Sequence, residues 1–203
     1  MMLDLFDFQT DAKNYLLDKT TDPNAKRKII VKSPTGSGKT IILLSYIYDY
    51  LLWQDPKKVF IWLTPGKGDL EEQSKEKMDE YIHHAKSANI HDALLQGFKG
   101  GYTYFINWEM ITNKKNNALK DSEKKNLFER IAEAHREQLS FITIIDEEHL
   151  NSTSKADDIL FALNSDREIR VSATTVKNPI AEFYEIPEEE VINSGLITKA
   201  LYI

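Results

Sequence analysis

Ser33-Pro34-Thr35-Gly36-Ser37-Gly38-Lys39-Thr40 follows directly on the apolar run Lys28-Ile29-Ile30-Val31-Lys32 and leads into Ile41-Ile42-Leu43-Leu44-Ser45-Tyr46-Ile47-Tyr48. A strand, a glycine turn and a helix in that order make a cradle for phosphate. Gly36 and Gly38 admit the tight turn that aims successive backbone N–H groups, from Thr35 through Thr40, at phosphate oxygens. The helix opening near Lys39 adds its positive end. Lys39 has the spacing to reach the β- and γ-phosphates, and the Thr40 hydroxyl is left for a magnesium ion. Ser33 stands where the strict G-x-x-x-x-G-K-[ST] pattern has glycine, a substitution that a small side chain makes sterically acceptable. A Gly/Ser-rich connecting turn is the competing reading; the strand before it and the helix after it favour a nucleoside triphosphate site.

Outward from this stretch, β-rich runs near 28–33, 58–64, 103–107, 140–146 and 168–173 alternate with helical patterns. That alternation predicts an α/β fold: three αβα layers around five strands of a mainly parallel sheet, helices on both faces. The helix over 41–48 is apolar nearly all round and is expected to be buried. The segment 69–86 mixes Leu70, Met78, Tyr81 and Ile82 with many charges and reads as a surface helix. Residues 113–126, rich in Lys and Asn, read as an exposed loop entering a helix of about a dozen residues near Leu127.

The 203 residues suffice for one sizeable α/β core, so residues 1–203 are expected to form one domain. The absence of cysteine excludes disulfides and thiolate metal sites. Asp4 and Asp7 interrupt the short apolar opening, which is unlike a signal peptide, and no run reaches membrane-spanning length; a soluble cytoplasmic protein is expected. A formal net charge of −6 argues against general coating of polyanions, though not against a local basic track. His83, His84, His91 and His135 lack metal-ligand spacing.

A second constellation follows the apolar run Phe141-Ile142-Thr143-Ile144-Ile145, which delivers Asp146-Glu147-Glu148-His149 at its carboxyl end. In a doubly wound sheet this is the ligand-binding end. There Asp146 is placed to orient magnesium through its water shell, and Glu147 to polarise the water that attacks the γ-phosphate. A solvated acidic turn is the plainer alternative, disfavoured by the strand before it and the phosphate loop upstream.

These segments, with Val171-Ser172-Ala173-Thr174, resemble motifs I, II and III of superfamily 2 helicase-type ATPases, in that order. Phe8-Gln9 resembles the upstream glutamine motif, and Leu63-Thr64-Pro65 with Leu70 and Gln73 resembles motif Ia. Tyr104-Phe105-Ile106-Asn107-Trp108-Glu109 and the tail from Tyr184-Glu185-Ile186-Pro187 through Val191, Gly195 and Leu196 are most similar to restriction (Res) subunits of type III restriction-modification enzymes.

The resemblance implies a RecA-like P-loop lobe, the N-terminal half of a DNA-translocating ATPase motor, with ATP and Mg²⁺ as cofactors. It implies that Gln9 reads adenine; a surface glutamine on an amphipathic helix is the alternative. His149, Ser172 and Thr174 would couple the nucleotide and nucleic-acid sites, unless the last two are only the small residues of a strand end. The turn at Thr64, Pro65 and Gly66, with Asn107 and Trp108, would face nucleic acid. A plain βα turn explains the first three nearly as well, and a core anchor is the favoured reading of Trp108. The implied partners are double-stranded DNA, a second motor lobe in cis that supplies the transition-state arginine, and a modification subunit, with no membrane. A nuclease domain would lie downstream, and the chain is expected to be part of a longer polypeptide. Another superfamily 2 DNA or RNA helicase is the close rival, and a nucleotide-dependent interaction module the rival of another class.

Overall fold

The structure, a computed structural model, describes residues 4–64, 70–81, 83, 85–108, 126–146 and 154–196. Along the chain run α1 (Asp7–Thr21), β1 (Lys28–Lys32), α2 (Lys39–Trp53), β2 (Val59–Thr64), α3 (Leu70–Tyr81), β3 (Lys86–Asn89) and α4 (Ile90–Gln96). They are followed by β4 (Tyr102–Asn107), α5 (Leu127–Arg136), β5 (Phe141–Asp146), α6 (Ser154–Leu163), β6 (Arg167–Ser172), β7 (Ala181–Glu185) and α7 (Glu188–Asn193). The seven strands form one sheet in the order β3-β4-β2-β5-β6-β1-β7, and every neighbouring pair is parallel.

Strand alternation sorts the apolar residues into two cores, one on each face. Ile29, Val31, Phe60, Trp62, Ile142, Ile144, Ile169 and Val171 meet Phe8, Ala12 and Leu16 of α1 and Ile42 to Ile47 of α2. Val59, Ile61, Leu63, Tyr104, Ile106, Phe141 and Ile145 meet Ile90 and Ala93 of α4, Leu127 and Ile131 of α5, and Ile159 and Leu163 of α6. The expected αβα layering is therefore present. α2 is buried from Ile42 to Ile47, as its all-round apolarity predicts, while its last turn exposes Leu52 and Trp53.

Two expectations are corrected. The sheet has seven strands rather than five, the additions being its two edges, β3 and β7. Lys-Ser-Ala-Asn and Ala-Glu-Phe-Tyr-Glu lack the apolar runs of the inner strands because an edge strand is paired on one side only. For the same reason the helix read over 69–86 stops at Tyr81: parallel pairing of Lys86–Asn89 with Tyr102–Phe105 outweighs the local helical pattern. Where α3 is described it is a surface helix, with Met78 and Ser74 buried and Glu76, Lys77, Asp79 and Glu80 exposed.

Capping sets the ends of several helices. Asn126 and Asn89 open α5 and α4 through reciprocal bonds with Glu129 and Asp92, respectively. The lysine-rich loop at 113–125 lies outside the described residues. Among those described, no helix is long and apolar enough to cross a membrane.

Candidate nucleotide site

β1 and β6 run side by side and end together, and the phosphate loop leaves from that point. The Ser33 N–H donates to the Ser172 carbonyl at 2.9 Å, extending the β1–β6 ladder by one step into the loop. Ser37 N–H donates to the Pro34 carbonyl at 3.1 Å, closing the turn. Gly36 (φ 82°) and Gly38 (φ 80°) are both left-handed, a conformation that side-chain-bearing residues rarely adopt. Inside the turn the Ser33 and Ser37 hydroxyls are buried and 2.6 Å apart. Ser33, the departure from the glycine pattern, thus cross-braces the loop.

α1 supports the loop from behind. Gln9 is 4% exposed; its Nε2 donates to the Ser37 carbonyl at 2.9 Å and its Oε1 accepts from the Phe6 N–H at 3.1 Å. This is not a surface glutamine. An amide carries two N–H donors and two acceptor lone pairs, so one of each remains for a ligand. The approach is close enough that a Cβ on Gly38 would stand 2.6 Å from Gln9 Nε2. Lys13 Nζ, one turn along α1, pairs with Asp49 Oδ2 of α2 at 2.7 Å and fixes the packing of the two helices.

Gly38 caps α2, and Lys39 and Thr40 form its first turn. Lys39 Nζ lies 3.8 Å from Oδ1 of Asp146, the last residue of β5, and both side chains are largely shielded from solvent. On the neighbouring strand end, the Thr174 N–H donates to Ser172 Oγ at 3.2 Å, and the Ser172 and Thr174 hydroxyls are 3.2 Å apart. The structure therefore brings together Gln9, the loop from Ser33 to Thr40, Asp146, Ser172 and Thr174.

Glu147, Glu148, His149, Pro65 and Gly66 lie outside the described residues. Thr64 ends β2 with a buried side chain, and Asn107 ends β4. Trp108 is 5% exposed within the apolar cluster beside α4 to α6, the position of a core anchor, and offers no face on which a base could stack. The Ser33–Ser37 brace and the Ser33–Ser172 link have no signal in the sequence beyond small polar residues, because they depend on how the loop folds back on itself.

A nucleoside triphosphate with magnesium fits this donor set. The left-handed glycines and the start of α2 make an anion cradle, and Lys39, Thr40 and Asp146 lie beside it. Among the described residues no group of three His, Cys, Asp or Glu side chains gathers.

The family model described as "Type III restriction enzyme, res subunit" matches residues 2–177 of the chain. The chain belongs to that family. Three solved structures share the fold of this res-family chain. The UvsW helicase of bacteriophage T4 matches with a TM-score of 0.59 at 17% identity over 90% of the chain. The SWI2/SNF2 ATPase core of Sulfolobus solfataricus, solved in complex with dsDNA, matches at 0.60 and 14% over 89%. A nuclease-deletion mutant of the type ISP restriction-modification enzyme LlaGI, in complex with a DNA substrate mimic, matches at 0.64 and 14% over 96%. The res-family chain spans 60%, 34% and 21% of the lengths of these three. No curated protein matches it by sequence.

Proposed function

We propose that the chain is the ATP-binding and hydrolysing N-terminal lobe of a DNA-translocating motor, of the kind found in restriction subunits. The observation that carries this reading is the 3.8 Å approach of Lys39 to Asp146 beside a glycine loop in left-handed conformation. Main-chain amides from Thr35 to Thr40 hold the phosphate tail, and Lys39 shifts its charge from Asp146 to the β- and γ-phosphates. Thr40 and Asp146 would hold Mg²⁺, which supplies charge neutralisation between the phosphates. Gln9 reads the adenine edge with its remaining donor and acceptor while steadying the loop. Glu147 accepts a proton from the attacking water.

The second lobe completes the site with its arginine, a contribution worth roughly 10³ to 10⁵ in rate, so this chain alone binds ATP and turns it over slowly. Double-stranded DNA is the proposed track, supported by the DNA complexes of the SWI2/SNF2 core and the type ISP enzyme. In the complete enzyme a modification subunit and a nuclease domain accompany the motor, in the cytoplasm.

ATP hydrolysis measured with and without duplex DNA, on this chain and on a version carrying the second lobe, tests the reading. The expected result is slow turnover here and DNA-stimulated turnover in the longer protein. An unchanged rate in the longer protein, whatever nucleic acid is added, sinks the motor reading and leaves a nucleotide-dependent interaction module.

A further inference from the structure

Thr64 closes β2, is 1% exposed, and its hydroxyl has no hydrogen-bond partner among the described residues. A buried hydroxyl left unpaired is destabilising, and valine would fill the same space without that penalty. Its place in the sheet offers a reason for it. Side chains alternate along a strand, so Thr64 shares a face with Phe60 and Trp62, which belong to the core beneath α2. Ile142 and Ile144 of β5 belong to that core too, so Asp146, two residues further on, shares the face. Trp62 is in register with Ile144 and Leu63 with Ile145. Continuing that register by one step would set Thr64 beside Asp146, across from Asn107 of β4, which is in register with Thr64. The opposite flank of Asp146 is apolar Val171, and Lys39 approaches it from the start of α2.

We propose that Thr64 is a positioning residue of the nucleotide site. Its hydroxyl hydrogen-bonds into the cluster of Asp146 carboxylate and metal-bound water that forms when Lys39 leaves Asp146 for the phosphates, and so steadies the carboxylate on the ion. This gives the end of β2 a role in metal binding, apart from any phosphate contact made by the backbone of the following turn. The inference rests on the nucleotide reading above.

The test compares wild type with Thr64→Val and Thr64→Ala, which remove the hydroxyl, and Thr64→Ser, which keeps it. Two quantities are measured: the calorimetric affinity for ATP as Mg²⁺ is titrated up from EDTA, and thermal unfolding without ligand. Thr64→Val is expected to unfold no earlier than wild type, to bind ATP normally in EDTA, and to need about tenfold more Mg²⁺ for tight binding. Thr64→Ala should share that shift, even if its cavity lowers the unfolding temperature, and Thr64→Ser should keep the wild-type Mg²⁺ dependence. A wild-type Mg²⁺ dependence in both Thr64→Val and Thr64→Ala overturns the proposal, whatever their stability. Failure of the wild type to bind ATP at any Mg²⁺ concentration overturns the nucleotide reading itself, and this inference with it.

Discussion

Lys39 Nζ and Asp146 Oδ1 stand 3.8 Å apart, one on the first turn of α2 and the other at the carboxyl end of β5. Removing either end should have a distinct effect. Lys39→Ala should weaken Mg·ATP binding by roughly 10- to 100-fold, the loss of charge-assisted hydrogen bonds to phosphate. Asp146→Asn should bind ATP about equally with and without Mg²⁺. Isothermal titration with Mg²⁺ and with EDTA distinguishes them, and identical losses in the two variants would refute the division of roles.

Gly38→Ala combines a left-handed backbone at φ 80° with a Cβ 2.6 Å from Gln9 Nε2. The backbone cost alone is about 1–2 kcal/mol, and the Gln9 amide must shift to make room. A lowered unfolding temperature and loss of ATP binding are expected. Gly195→Ala, left-handed too but with open space around it, should pay only the backbone cost.

Gln9→Ala leaves the buried Ser37 carbonyl without its side-chain donor, a loss of about 1–3 kcal/mol in unfolding experiments. If Gln9 also reads adenine, the variant should bind ATP and GTP with similar affinity. Retention of the wild-type preference would make Gln9 a support for the loop alone.

Glu147→Gln should leave ATP affinity near wild type and depress hydrolysis by about 10²- to 10⁴-fold, the usual contribution of a general base. Single-turnover kinetics separates binding from chemistry. Unchanged turnover would move the base to another residue.

Far from this site, burial pushes the Tyr104 phenol up to about 12 from 10.0, partly offset by the Lys99 N–H that donates to its oxygen. Because the folded value lies above the unfolded one, this contribution to stability is complete below pH 10 and fades as pH rises toward 12. Ultraviolet titration should find a late tyrosinate step that Tyr104→Phe removes.

Some of this protein could be read directly from its chain. Ser33 to Thr40 after Lys28–Lys32 was decisive because a phosphate loop is a local object, whose turn, helix start and lysine lie within a few residues of each other. The inner strands Val59–Thr64 and Phe141–Asp146 were legible because burial on both faces demands unbroken apolar runs. The edges Lys86–Asn89 and Ala181–Glu185 were not, since hydrogen bonds to one neighbour hold them and ask little of their side chains. Gln9 showed the limit most clearly: its spacing left a surface residue and an adenine reader equally open, and only the packing of α1 on α2 put its amide behind the loop.

The sequence by itself determined the phosphate loop, the acidic strand end and the alternation that makes an αβα lobe, because each is written in residues close together along the chain. Tertiary structure alone decided the order β3-β4-β2-β5-β6-β1-β7, which sets the end of β2 beside the end of β5 and Ser33 beside Ser172. Those neighbours are chosen by strand pairing between distant segments, and no local pattern records which strand lies next to which.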